Sequence, residues 1–462
     1  MLFITSKIGH LDNRILLSDL ASYPERFPRL QEIVILRGNA VSFTSYSDLE
    51  QLGSISPEGA VYDISRNVNT YDVCNLQFTS GTTGNPKAAS LTHHNIVNNS
   101  RFIGDRMALT EADVLCCPPP LFHCFGLVLG LLAVLTHGGK VVYPTEAFDA
   151  AACLKAISDE QCTALHGVPA MFDSIFSLPR PANFDSTRLR TGIIAGAPVP
   201  RHLMKLLVDD LGMTEFTSSY GLTEASPTCF NAFVDDSLDR RLATVGTLMP
   251  HAHAKIVDRD GTIVPLGVRG ELCIAGYQLQ AGYWKNKEKT AEVMVRDEHG
   301  VLWLRTGDEA VFHPDGYCTI TGRFKDIIIR GKHEYLNTTS KVKRLTATLT
   351  GGENIYPLEI EERLSAHPSI DRAIVVGIKH ERYGEVVGAF LQLAASEVRL
   401  TDVEVRQWVR DRLGRHKAPA HIFWLGEDGC PATVPLTGSG KVKKYEMAKL
   451  AEDLLVVPKA KL

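Results

Sequence analysis

The strongest constraint on this chain is a rhythm. Short apolar runs such as KVVYP (140–144) and RTGIIAGAP (190–198) alternate with amphipathic stretches such as Asp149–Glu160 and Arg201–Leu211. Apolar runs read as strands and amphipathic stretches as helices, so the alternation predicts an α/β class. From about Gly246 to Arg330 the pattern turns β-rich, with HAKIVD (253–258), GELCIAG (270–276) and Asp-Gly turns at Asp260-Gly261 and Asp315-Gly316. Beyond Pro357 a third pattern begins. PLEIEERLSAHP and TDVEVRQWVRDRL read as helices, AIVVGI and AFLQL as strands, which together make a small α+β unit. The expected division is a large body over 1–324 and a C-terminal domain over 325–462, meeting near Arg323–Asp326.

The totals agree. A chain of 462 residues is too long for one ordinary domain, and 44% apolar against 22% charged residues supplies a substantial core. Lys+Arg 49 against Asp+Glu 53 announces no nucleic-acid footprint, so no nucleic-acid partner is expected. The ten cysteines contain no CxxC pair and no zinc-finger spacing, which reads as buried thiols in a reducing compartment. MLFITSKIGHLD turns polar too early for a signal peptide. The longest apolar run, FGLVLGLLAVL from Phe125 to Leu135, is too short to span a bilayer; it reads as a buried helix, and no transmembrane segment is expected. The final Ala460-Lys461-Leu462 has the small–basic–Leu form of a peroxisomal address, implying an import receptor as partner and peroxisomal residence. The other reading is a frayed polar tail.

Chemistry concentrates first in LQFTSGTTGNPK, Leu76 to Lys87. Gly81 and Gly84 permit tight turns and close backbone approach. Thr79, Ser80, Thr82 and Thr83 supply hydroxyls, the backbone supplies N–H groups, and Lys87 adds a point charge; together these suit a polyphosphate. The Walker A spacing is absent. A Gly/Ser/Thr surface turn is the bland reading, and the length of the match outweighs it.

Further motifs follow in order: Gly196-Ala197-Pro198; Ser219-Tyr220-Gly221-Leu222-Thr223-Glu224; Arg305-Thr306-Gly307-Asp308; Gly322-Arg323-Phe324-Lys325-Asp326; and Pro435-Leu436-Thr437-Gly438-Ser439-Gly440-Lys441. With the phosphate stretch, these resemble the adenylate-forming (AMP-binding) enzymes, and the chain is most similar to their acyl-CoA synthetases, particularly medium-chain ones. The likeness runs from about Ile33 to Lys449. It implies a large body of α/β subdomains plus a β-rich subdomain, and a small mobile α+β C-terminal domain.

The resemblance also implies roles. Residues 196–198 lie against the adenine, Tyr220 stacks on it, Thr223 contacts phosphate, and Glu224 helps hold Mg2+. An aromatic face suits a base, a hydroxyl an oxyanion, and a hard carboxylate a hard cation. Asp308 accepts from the ribose hydroxyls and Arg323 contacts the nucleotide. Lys325 is the hinge, and Lys441 reaches the reacting carboxylate and the α-phosphate. Gly352, Glu353 and Asn354 border the tunnel for CoA. His123, in Pro120-Leu121-Phe122-His123, either walls the acyl tunnel or is a packed histidine. The implied reaction joins a carboxylic acid to AMP from ATP, then transfers the acyl group to CoA, for fatty-acid or secondary metabolism. The alternatives are an inactive ATP-binding remnant and an adenylating enzyme serving a carrier protein.

Two departures stand out. The stretch ahead of Leu76 is short for the first subdomain that the resemblance implies, so that subdomain is expected to be truncated. And residues 332–351, rich in Lys and Thr, interrupt what would otherwise read IIIRGGENIYP. Gly331-Lys332, Leu345-Thr346 and Thr350-Gly351 can be encoded with a splice donor, a branch site and an acceptor, so the tract reads as a retained intron. A genuine surface insertion is the competing reading, since loop-closure cost grows slowly with length. If the tract is translated, thioester formation is expected to suffer before adenylation.

Overall fold

The computed structural model describes the chain except residues 9–10, 23, 39–42, 80–85, 197–198, 200, 331–352, 395–396, 428, 437–441 and 457–462. Its centre is a parallel sheet. Strand Val114–Cys116 lies between Lys140–Val142 and Ala164–Leu165. Parallel bridges Ala164↔Thr191 and Gly167↔Ile194 carry the sheet on to Ile193–Ile194, which pairs in parallel with Thr217–Gly221. Antiparallel strands Thr228–Asn231 and Thr247–Leu248 complete that edge. The expected α/β class is what the chain adopts.

Helices cover the sheet because their apolar stripes need it. Ala150–Asp159 starts where the Asp149 side chain accepts from the Ala152 amide, a standard N-cap. It packs with Arg201–Asp209 around Leu154, Ile157, Phe172, Leu207 and Phe216. On the other side, His93–Arg106 opens with a reciprocal capping box between Thr92 and Asn95. It buries Ile96 and Ile103 against the Phe125–Leu135 run. That run is helical and largely buried, as expected, but Phe125–Leu132 is wound as a π-helix and only Ala133–Leu135 is α-helical.

A separate antiparallel sheet brings Gly282–Tyr283 beside Lys87–Thr92, which pairs in turn with Val73–Thr79. The β-rich region follows as an antiparallel sheet of Ala252–Val257, Gly270–Gly276, Leu302–Phe312 and Met294–Arg296, with Cys318–Arg323 on Leu302–Phe312. After Arg323 the chain changes sheets. Ile328–Arg330 pairs with Glu353–Ile355 and touches Gly384–Leu393, which pairs with Ile370–His380 and with His421–Trp424. Helices Pro357–Ser365 and Asp402–Leu413 pack on one face of this C-terminal sheet through Ile360, Leu364, Val405 and Val409. Lys444–Val456 packs on the other through Met447 and Ala451.

Near the N-terminus, Leu2–Ile4, Ile33–Ile35 and Thr44–Ser45 form a small parallel sheet. Helices Tyr46–Ser54 and Ala60–Ser65 bury no residue. Nine cysteines are buried, as the sequence predicts, but Cys74 is exposed. Among the described residues no helix is long and apolar enough to cross a membrane.

Candidate active site

Gly196, Ser219 and Tyr220 stand at the carboxyl ends of parallel strands, where open α/β sheets place ligands, while Lys87, Tyr283, Asp308 and Arg323 stand on antiparallel strands. Gly196 follows Ile193–Ile194 at φ +92°, a left-handed conformation that favours glycine; Ala197 and Pro198 lie outside the described residues. Ser219 and Tyr220 stand on Thr217–Gly221, where the Ser219 hydroxyl donates to the Phe230 carbonyl at 3.4 Å. A Cβ on Gly221 would lie 1.9 Å from the Pro227 carbonyl oxygen, so only glycine lets this strand end pass its neighbour. Thr223 and Glu224 sit in the 3-10 turn Thr223–Ala225 that follows.

Two side-chain clusters result. In the first, Asp308 is 3% exposed and its two carboxylate oxygens accept from different partners. The Tyr220 phenol donates to Oδ2 at 2.5 Å, and Arg323 Nε donates to Oδ1 at 2.9 Å. Desolvation first, then the Asp308 charge, push the Tyr220 phenol well above its ordinary value, so it stays a donor. Each Asp308 oxygen keeps a second lone pair, so the carboxylate can still accept from hydroxyls. The predicted residues Tyr220, Asp308 and Arg323 are therefore brought together from three separate strands and strand ends.

The second cluster joins Lys87 to Glu224 through a residue the sequence reading passed over. The Tyr283 hydroxyl donates to Glu224 Oε1 at 2.6 Å. It accepts from Lys87 Nζ at 3.2 Å, and that ammonium also lies 4.4 Å from the Tyr283 ring centroid. Burial first, then the Glu224 charge, raise the Tyr283 phenol. The signal was available: GYW after a β-like GELCIAG marks a strand, and its pairing with Lys87–Thr92 places Tyr283 opposite Ala89, diagonal to Lys87. What the sequence did not carry was that pairing.

Thr79 ends its strand directly opposite Lys87; Ser80, Gly81, Thr82, Thr83 and Gly84 between them lie outside the described residues. His123 is half-buried, and its Nδ1 accepts from the Phe125 amide at 3.1 Å, capping the turn into the π-helix. Among the described residues the fully buried histidine is instead His166. Its Nδ1 accepts from the Ile193 amide at 3.0 Å, so its Nε2 carries the proton and donates to the Leu129 carbonyl at 3.0 Å. Burial holds its pKa down at about 4.

Lys325 is exposed, in the segment that leaves the β-rich sheet for the C-terminal one. Glu353 and Asn354 pair with Arg330 and Ile329. Gly352 and Lys441 lie outside the described residues; Leu436 and Val442, on either side of 437–441, meet in an antiparallel bridge. The C-terminal unit touches the body where the Tyr356 hydroxyl donates to Glu309 Oε1 at 2.8 Å and where Arg372 Nη2 lies 3.4 Å from Asp173 Oδ2.

For magnesium, the described residues contain no cluster of three or more His, Cys, Asp or Glu side chains able to hold an ion. One carboxylate, Glu224, fits a cation whose remaining ligands are phosphate oxygens and water, the usual arrangement for magnesium on a nucleotide.

Comparisons with known proteins bear on the family. The profile described as AMP-binding enzyme matches residues 18–284, and that of the AMP-binding enzyme C-terminal domain matches 359–441. The chain is 67% identical to the acyl-CoA ligase sidI of Beauveria bassiana, over 100% of this chain and 77% of that protein. It is 60% identical to the acyl-CoA ligase sidI of Aspergillus fumigatus, over 98% of this chain and 74% of that protein. Among solved structures, ATP-bound MatB from Rhodopseudomonas palustris matches with a TM-score of 0.71 at 26% identity, covering 84% of this chain and 70% of that one. The chain belongs to the adenylate-forming, AMP-binding enzyme family and stands among its acyl-CoA ligases.

Proposed function

We propose that the chain activates a carboxylic acid as its acyl-adenylate and then transfers the acyl group to CoA. The observation that carries this reading is a pair of clusters linked through the strand of Tyr220 and the turn of Glu224 that follows it: Tyr220–Asp308–Arg323 for the nucleoside, Lys87–Tyr283–Glu224 for the triphosphate. A carboxylate is a poor electrophile because its leaving group would be oxide. Attack of a carboxylate oxygen on the α-phosphorus of ATP forms the acyl–phosphate bond and expels pyrophosphate. Attack of the CoA thiolate on the acyl carbon then expels AMP.

In the first half-reaction two anions meet, and this chain's task is to offset their charge. Lys87 supplies a cation toward the triphosphate. Glu224 would hold magnesium, which lowers the repulsion between the anions when bound. Lys441 would complete the set from the C-terminal unit. Preorganised charges of this kind are worth about 3 kcal/mol each in acyl-transfer chemistry. Free CoA as acceptor, in place of a carrier protein, is supported by the names of the 67% and 60% identical relatives. The proposal places the reaction in fatty-acid or secondary metabolism, and in peroxisomes on the strength of Ala460-Lys461-Leu462. Residues 1–324 would be the adenylating body and 325–462 the mobile domain turning at Lys325.

A panel of acids tests the reading on one sample. Acid-dependent exchange of labelled pyrophosphate into ATP reports the first half-reaction, and CoA-thioester yield the second. Exchange and thioester from the same acid are expected. Neither activity with any acid, despite tight nucleotide binding, would replace this reading with that of a binding remnant.

A further inference from the structure

Tyr283 stands between two groups of opposite charge that have every reason to meet. Lys87 ends the phosphate stretch and Glu224 sits in the turn after Tyr220. In a half-buried cleft, an ammonium and a carboxylate in direct contact attract strongly enough to compete with a phosphate for the cation. They are not in direct contact. The phenolic O–H points its donor at Glu224 Oε1, 2.6 Å away, and offers its oxygen to Lys87 Nζ at 3.2 Å. The ring face below adds a cation–π contact at 4.4 Å.

The backbone fixes this arrangement. Tyr283 pairs with Ala89, so with a side-chain period of two its ring shares a face with Lys87. The Gln280 amide donates to the Glu224 carbonyl at 2.9 Å, tying the turn that carries Glu224 to the segment leading into Gly282–Tyr283. The Tyr283 amide in turn donates to Thr290 Oγ1 at 2.9 Å. The hydroxyl is thus presented to both ions by contacts that use neither charged side chain.

We propose that Tyr283 is a positioning residue for the triphosphate: its hydroxyl separates Lys87 from Glu224, so that the ammonium is free to move to the phosphates while the carboxylate stays turned to the cation that accompanies them. The inference rests on the adenylation reading above and adds to it the group that keeps the site from closing on itself. Removing the hydroxyl lets Lys87 and Glu224 pair directly, and nucleotide must then break that pair to enter. The cost therefore falls on binding and not on the chemistry of bound reactants.

The test is Tyr283→Phe, which keeps the ring and its volume. Binding of a nonhydrolysable ATP analogue with magnesium is measured by calorimetry, beside pyrophosphate exchange at varied ATP. The expected result is an affinity about tenfold weaker and a KM raised in proportion, with kcat at saturating ATP little changed. In a Lys87→Gln background the same substitution is expected to lose most of that effect, because the two act as a pair. Unchanged binding in Tyr283→Phe, or an equal loss in both backgrounds, overturns the proposal. Wild-type chain that binds no nucleotide overturns the adenylation reading itself, so the two failures are told apart. Should Tyr283→Phe not fold, 3-fluorotyrosine placed at 283 retains the hydroxyl; its fluorine resonance is expected to move when magnesium and the ATP analogue are added, and a resonance that stays put rejects the role.

Discussion

Tyr220 and Asp308 lie 88 residues apart in the chain, yet the phenol of one donates to the carboxylate of the other at 2.5 Å. With Arg323 on the second oxygen, Asp308 is a nearly buried anion held by two donors and still able to accept more. Asp308→Asn leaves one oxygen and places an NH2 against the Tyr220 or Arg323 donor. Nucleotide affinity should fall by about 2–3 kcal/mol, the worth of hydrogen bonds to a charged group. Tyr220→Phe keeps the ring and should cost less than half of that. A fluorescent-nucleotide titration checks the order, and Tyr220→Phe as damaging as Asp308→Asn would contradict it.

Arg330 and Glu353 face each other across two antiparallel strands, so residues 331–352 connect the ends of a hairpin. Deleting 332–351 leaves Gly331-Gly352 as a two-residue loop, a composition that favours hairpin turns. Closing the shorter loop costs on the order of 2 kcal/mol less entropy. The deletion is expected to raise Tm and to increase thioester yield more than pyrophosphate exchange. A lower Tm with loss of both activities would show that the tract belongs to the folded machine.

Asp113 is 4% exposed, yet it carries a charge. Burial alone would raise its pKa, but hydrogen bonds from Thr163, Arg190 and the Thr110 amide outweigh that and hold it below the usual carboxylate range. A carboxylate depressed by folding adds stability above its unfolded pKa and loses it as pH falls through the folded one. Asp113→Asn leaves Arg190 with Glu215 and the Ala108 carbonyl and should cost about 2 kcal/mol at pH 7, the worth of hydrogen bonds to a charged group. Urea unfolding of the variant should also show a shallower loss of stability on acidification below pH about 4. An unchanged acid limb would mean that the Asp113–Arg190 pair contributes little.

His166 adds a second loss of stability on acidification, at higher pH. Its folded pKa of about 4 lies below the ordinary 6.5, so the unfolded chain takes up the proton first. Stability attributable to the neutral ring is complete above pH 6.5, declines as pH falls, and is gone near pH 4. The full span is about 3 kcal/mol. His166→Gln should flatten the denaturation midpoint between pH 6.5 and 5, measured against wild type. A slope equal to that of wild type in that window would place the acid sensitivity elsewhere.

Much of this architecture was legible because the apolar pattern matches the burial. GELCIAG became the strand Gly270–Gly276, and Asp149 capped the helix it was expected to begin. The C-terminal strands ran longer than their apolar centres, Ile370–His380 for AIVVGI and Gly384–Leu393 for AFLQL, because paired ladders extend into flanks that alternate with solvent. The π-winding of Phe125–Leu132 left no trace, since a run apolar on every side has no face from which to read a period. In the site, Tyr220, Glu224, Asp308 and Arg323 were singled out by their motifs, and the structure brings Tyr220, Asp308 and Arg323 together. Tyr283 was not, because its place beside Lys87 depends on a strand pairing with Lys87–Thr92, far off in sequence.

The account depends on nucleotide lying between the two clusters. A crystal structure with a nonhydrolysable ATP analogue and magnesium tests this most directly. It should show the ribose hydroxyls on Asp308, the triphosphate beside Lys87, and Lys87 withdrawn from Tyr283. A cleft left empty with nucleotide bound elsewhere, or a ribose that does not touch Asp308, would contradict it.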